Sequence, residues 1–238
     1  MLPHKTTAGN TIRSGMIDLQ PLHGFLNATE MKRAEELLRS KPELLSENQF
    51  ALMKKLIQED VPHMEWAWNI AADANNVSTL TFDRIILSRP FSRGFVHINS
   101  TDPLVDPLID PKYLSAPIDK FLFAKGIEYT RKIVSTEPLK SIIAGPVSPS
   151  ASVESEDDFV DFVNEQGVAE HHFVGTSSMI PRSEGGVVDP SMVVYGTSNV
   201  RVADLSIISN LPGIHTVSLA YMVAERAAEV IKATSKLW

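Results

Sequence analysis

The stretch from Thr101 to Pro117, "TDPLVDPLIDPKYLSAP", most limits what this chain can fold into. Asp-Pro recurs at 102–103, 106–107 and 110–111, so a proline arrives every fourth residue. Proline has no N–H for a helical turn, and it pushes the residue before it out of the helical region. No helix can pass through, and the Asp and Pro content reads as loop. Before it lie "STLTFDRIILSRP" and "GFVHINS", both rich in β-branched and aromatic residues and separated by "FSRG". They suit two neighbouring antiparallel strands. After it, "PIDKFLFAKGIEYTRKIVSTEPL" repeats apolar residues every three or four positions, which predicts a helix. Strands and helices are therefore segregated along the chain rather than alternating, which points to an α+β fold.

The flanks fill in that outline. Residues 1–25 show no periodicity and read as an arm. Asn27 or Thr29 caps a helix that runs until Pro42 interrupts, and Ser46 caps a second, with Phe50, Met53, Leu56 and Ile57 on one face. "VPHMEWAWNIAAD" fits helix or strand equally. The acidic run "ESEDDFVDFVNE" opens another helix, where carboxylates suit the positive end of the dipole. "NVRVADLSII" reads as a buried-type strand, followed by a loop holding Pro212 and Gly213 and a long helix, "TVSLAYMVAERAAEVIKA". Leu219, Met222, Val223, Val230 and Ile231 line one face of that helix, and Ala220, Ala224, Ala227 and Ala228 permit close approach of another element. The expected architecture is an antiparallel sheet with flanking helices plus a C-terminal strand–loop–helix. A helical region over 1–80 is followed by a second domain over 81–238.

Several function classes drop out. A net charge of −7 and no basic patch argue against nucleic acid or an anionic membrane as partner. No apolar run is long enough to span a bilayer, and "MLPHKTTAGN" lacks the layout of a signal peptide, so the cytoplasm is the default expectation. With no cysteine, thiol nucleophiles and thiolate metal sites are excluded. None of the 12 glycines forms G-x-G-x-x-G or a phosphate-binding P-loop. There is no G-x-S-x-G elbow and no H-E-x-x-H helix, and no metal site is expected.

What remains for chemistry is histidine. His172, in "EHHFVGTSSM", stands before a Gly-Thr turn where a loop can present an imidazole to a cleft. His215, in "NLPGIHTVSLAY", lies between the last strand and the last helix. Imidazole is the side chain best matched to proton transfer near neutral pH, and two of them can act as a base and its hydrogen-bonding partner. The plainer reading, solvated or structurally satisfied loop histidines, stands beside it. His171 would face the opposite way in an extended segment. Asp204, between apolar neighbours, calls for a buried donor or a ligand hydroxyl.

From Ser88 to the C-terminus the chain resembles the C-terminal portion of the glucose–methanol–choline (GMC) flavin oxidoreductases. "SRPFSRGFVHINSTDPLVDPLIDPKYL" is similar to that family's strand-and-loop signature, and "HFVGTSSM" to its "HPVGT-x-x-M". "VVDPSMVVYGTSNVRVADLSIISNLPGIHTVSLAYMVAERAAEVI" follows its closing strand, active-site loop and helix. The histidine before Thr216 looks most like the aryl-alcohol oxidase and fungal secondary-metabolism branches. The resemblance implies that His172 removes the alcohol proton and that His215 holds the substrate oxygen. It places Asp204, Leu205, His215 and Thr216 toward FAD, and Phe173 and Leu211 beside the substrate. It gives Ser92-Arg93-Gly94 a role in shaping a strand start. Phe173 and Ser209 stand where the family has proline, which implies an altered pocket.

The FAD-binding region with its glycine fingerprint has no counterpart in these residues. Three readings stay open. The chain supplies the substrate half of a flavin-linked alcohol oxidation, with the FAD half on a partner chain or completed in a homo-oligomer. It is a flavin-independent cyclase, isomerase or pericyclic catalyst on an apolar substrate, using the same histidines. Or it is a non-catalytic binding relic.

Overall fold

The computed structural model describes residues 4–5, 12–39, 41–72, 78–146 and 148–234. Its contacts divide the chain into two interleaved units: residues 1–39, 56–88 and 116–168 form the first, and residues 40–55, 89–115 and 169–238 the second. The change of character near residue 80 lies inside a strand of the first unit.

The first unit is a four-stranded antiparallel sheet with helices. Strands β1 (His4–Lys5), β2 (Ile12–Gln20), β3 (Met64–Ala72) and β4 (Ser78–Leu87) lie in the order β1-β2-β3-β4. One expectation is corrected here and one ambiguity resolved. The supposed arm over residues 1–25 contains β2, which pairs with β3 from Arg13↔Ala71 to Gln20↔Met64. The ambiguous "MEWAWNIAA" is strand. β3 does not alternate cleanly because one end of it is covered on both faces: Met64, Glu65 and Trp66 are all buried.

Helices α1 (Ala28–Leu37), α3 (Pro117–Val134) and α4 (Glu156–Gln166) complete this unit. Asn27 caps α1 in a capping box with Glu30, and Ser155 caps α4 in a box with Asp158. Helix α3 buries Ile118, Phe121, Leu122 and Ile127 at helical spacing. Gly126 lets it approach the sheet: a Cβ there would sit 3.0 Å from Met64 Cε and 3.1 Å from the Ile85 side chain. Trp66 packs edge-on against Phe25, with ring centroids 5.3 Å apart, and against Tyr129 at 5.1 Å.

The second unit has less regular structure. Strand β5 (Phe95–His97) pairs with β6 (Leu108–Asp110), not with β4 as the spacing suggested. β4 belongs to the first unit whereas β5 and β6 both belong to the second, and β6 occupies the proline-free window between Pro107 and Pro111. Helix α2 (Glu47–Ile57) places Phe50 and Met53 in the interior. The "NVRVADLSII" segment is corrected from strand. It makes a single bridge, Arg201 to Val193, and then turns into a 3-10 helix over Leu205–Ile207. Asp204 causes the turn, its carboxylate accepting the Ser206 N–H at 2.8 Å.

Helix α5 (Thr216–Thr234) follows. It buries Leu219, Val223, Ala227 and Val230, and of these Val223 and Ala227 join Val188, Met192 and Ile207 in a core cluster. Met222 and Ile231, expected on the same face, are exposed, as are Ala220, Ala224 and Ala228.

Candidate active site

The second unit brings the two candidate histidines together. The rings of His172 and His215 lie with centroids 5.1 Å apart and planes at 83°, an edge-to-face arrangement. They are 43 positions apart in sequence, and the intervening chain explains how they meet. Ser177 N–H donates to Ser206 O at 2.9 Å, and Met179 N–H donates to Ile207 O at 2.8 Å. The loop that carries His172 is thereby laid against the segment that runs on to His215. Gly175 sits at φ +89° in the left-handed region, and its Cα faces the Ile208 carbonyl closely enough that an added Cβ would be 3.5 Å from that oxygen. The Ser178 hydroxyl closes the turn by donating to Gly175 O at 2.6 Å.

The histidine doublet divides its two rings. His171 has φ +58°, a left-handed backbone, and its ring faces Phe173 with centroids 6.4 Å apart. His172 faces His215 instead. His172 is half-buried while His171 and His215 are exposed. His215 precedes the first residue of α5, and its carbonyl accepts from the Ser218 hydroxyl at 3.3 Å. The first turn of the 19-residue helix α5 leaves peptide N–H groups and the positive end of the dipole beside this histidine.

Of the other singled-out residues, Thr216 is buried at the head of α5. Leu205 and Leu211 are half-buried and Phe173 is 62% exposed. Asp204 is exposed and spends its carboxylate on the Ser206 cap, so the buried donor or ligand hydroxyl inferred for it is not needed. Among the described residues no group of three His, Asp or Glu is placed to hold a metal. No described helix is long and apolar enough to cross a membrane. A cavity of about 440 Å³ lies within the first unit, beside Glu30, Lys125, Glu128 and Lys132, and none of the candidate site residues lines it.

Two residues that the sequence did not single out, Gln49 and Asn210, take part in the contacts that hold the pair's supporting segment. Gln49 Nε2 donates to Ser209 O at 3.1 Å, and Arg93 Nη2 donates to Asn210 Oδ1 at 3.1 Å. No local pattern could have marked Gln49 or Asn210, because their partners are 160 and 117 positions away.

Comparison with known proteins bears on what this geometry serves. The family model described as GMC oxidoreductase, C-terminal part, matches residues 90–224. GMC oxidoreductase family protein Mala s 12 of Malassezia sympodialis is 37% identical over 145 residues, covering 61% of this chain and 24% of that protein. Among solved structures, an FAD-dependent oxidoreductase from Chaetomium thermophilum superposes with a TM-score of 0.77 at 24% identity, over 91% of this chain and 38% of that one. A fungal aryl-alcohol oxidase superposes at 0.73 and 25% identity, over 90% and 38%. The chain thus spans about a quarter of the length of the curated relative and 38% of the solved ones. With the family model covering more than half of the chain and the histidine pair set within the matched residues, the chain belongs to the GMC oxidoreductase family.

Proposed function

We propose that this chain is the substrate-side portion of a GMC enzyme that oxidises an alcohol-type substrate, with FAD held mainly by an FAD-binding portion outside these residues. The observation that carries the reading is the edge-to-face approach of His172 and His215 at 5.1 Å. A neutral imidazole offers one donor and one acceptor nitrogen. His172 accepts the substrate hydroxyl proton, and His215 donates to the same oxygen and holds it in place. A base and a donor converging on one oxygen polarise the C–O unit while fixing its orientation, which supplies both proton transfer and positioning.

The residues present fit part of a flavin and not the whole. No glycine fingerprint is available for the diphosphate. The head of α5, with Thr216 behind His215, offers N–H groups and positive potential suited to the ring edge that gains negative charge on reduction. When bound, FAD supplies the two-electron acceptor that the side chains lack. Leu205 and Thr216 would face it, and Phe173 and Leu211 would line the substrate side.

A second observation supports a covering portion. Val217, Tyr221 and Ile231 on α5 are 66%, 73% and 46% exposed, and with Ala224 and Ala228 they fall on one stripe at spacings of three and four. A solvated apolar stripe of this length is what an interface leaves when its partner is absent. In this proposal the FAD-binding portion covers it.

The test is the visible absorption of the purified chain after incubation with FAD and desalting, alone and with a GMC FAD-binding portion added. Retained flavin that an alcohol bleaches, with bleaching lost in His172→Ala, is the expected result. Turnover of a hydrophobic substrate without flavin would replace this reading with a cofactor-free catalyst. A colourless, inert chain in the presence of the added portion would leave only a binding role.

A further inference from the structure

Two contacts near the histidine pair have no part in the proton transfer just described, and they grip adjacent residues, Ser209 and Asn210. Ser209 and Asn210 follow the 3-10 turn at Leu205–Ile207, and the chain reaches His215 five residues after Asn210. On one side this segment is bonded to the His172 loop through Ser206 and Ile207. On the other it is held by Gln49 through the Ser209 carbonyl and by Arg93 through the Asn210 side chain. The segment is therefore the common support of both imidazoles.

The two grips are themselves organised. Gln49 and Met53 are four apart on α2 and so share one helix face. Gln49 reaches Ser209, and the Met53 sulfur receives Arg93 Nη2 at 3.4 Å. The Arg93 guanidinium is aimed by its own turn: Nη1 donates to Pro90 O at 2.7 Å and to Ser92 O at 2.9 Å. The turn is seated by Phe91, which is 1% exposed. A planar fork held on one nitrogen presents the other in a fixed direction, which a lysine on a flexible stem does not do. The consecutive residues 209 and 210 are thus clamped from one helix face and one anchored turn.

We propose that Gln49 and Arg93 are positioning residues that set the spacing and orientation of the His172–His215 pair by clamping Ser209–Asn210. This rests on the pair being the reactive centre, and it revises the role of Arg93 from shaping a strand start to holding the active-site loop. Loss of either clamp frees the loop to shift by about an ångström. A displacement of that size costs reaction rate without removing any reacting group.

The imidazole signals themselves provide a test that does not need flavin. Protein labelled with ¹³C-histidine is compared with Asn210→Ala, Gln49→Leu and Arg93→Lys in ¹H–¹³C spectra across the imidazole titration range. Asn210→Ala is the mildest change, since Arg93 keeps its bonds to Pro90 and Ser92. The expected result is that the ring signals of His172 and His215 move in Asn210→Ala and Gln49→Leu, while those of His23 in the first unit stay in place. In the FAD-complemented enzyme the same variants lose about ten- to a hundredfold in kcat with KM unchanged. Ring signals that overlay the wild type in both folded variants would overturn the proposal, whatever Arg93→Lys does. Because the spectra are read without flavin or substrate, failure of alcohol oxidation would leave this outcome standing by itself.

Discussion

Replacing Lys125 by methionine tests how the first unit is held together. The Lys125 ammonium meets three carboxylates from three helices: Glu128 of α3 at 2.9 Å, Glu156 of α4 at 3.0 Å and Glu30 of α1 at 3.3 Å. Its side chain is 13% exposed, those of Glu30 and Glu156 are 22%, and that of Glu128 is 37%. Solvent-exposed pairs are worth about 0–1 kcal/mol each, and removing one partner of a fully buried pair costs about 3–5 kcal/mol. This cluster lies between those limits. Arg33, 2.7 Å from Glu156 but itself 55% exposed, offsets part of the loss. Methionine preserves most of the stem's packing, so the charge effect dominates, and a destabilisation of about 2–3 kcal/mol is expected. Urea unfolding followed by tryptophan fluorescence reports it, because Trp66 lies in the same unit. The midpoint should fall at constant m.

The pH dependence gives a second reading of the same variant. Burial pulls the Lys125 ammonium down, but hydrogen bonds and charges from Glu128 and Glu156 outweigh it, and the net shift is upward. A lysine raised in the folded state contributes stability that is complete below its unfolded value, about 10.4, and is lost as pH rises beyond it. The difference between wild type and Lys125→Met should therefore stay constant through neutral pH and narrow only above about 10.4. A difference under about 0.5 kcal/mol would mean that water screens the cluster as it does surface pairs, and would refute the reasoning.

Two further substitutions probe the scaffold. Thr130→Val removes the acceptor for Trp66 Nε1, now 2.9 Å from Thr130 Oγ1 with Trp66 fully buried. The orphaned indole N–H should cost about 1–3 kcal/mol, measured by the same unfolding curves. Gly94→Ala places a Cβ against the Asp110 carbonyl and the Pro111 backbone, which cannot yield as a side-chain tip would. It should cost about 1–3 kcal/mol or more and loosen the β5–β6 pair, seen as faster amide exchange at Val96 and Ile109.

The elements whose signals are local were legible in the sequence. Asn27 and Ser46 mark helix starts through bonds within one turn, and the apolar spacing of α3 follows from the helix period. The prolines of 103–117 exclude helix by covalent geometry alone. The family was legible because its motifs are contiguous runs. The same contiguous motif, "HFVGTSSM", is what singled out His172 rather than His171.

Pairing was not legible. Nothing in "GFVHINS" states that its partner is "LID" thirteen residues on, since the strand next to it in sequence belongs to the other unit and the partner is chosen by tertiary packing. The supposed strand around Arg201 became a turn because the Asp204 side chain competes for the backbone. Residue types and spacing alone suggested that His172 and His215 could act together. Their 5.1 Å separation, and the hold of Gln49 and Arg93 on the loop between them, exist only in three dimensions. The physical reason is range: caps, periodicity and proline act within a few residues, whereas the site is built from side chains 43 to 160 positions apart whose approach depends on how the core packs.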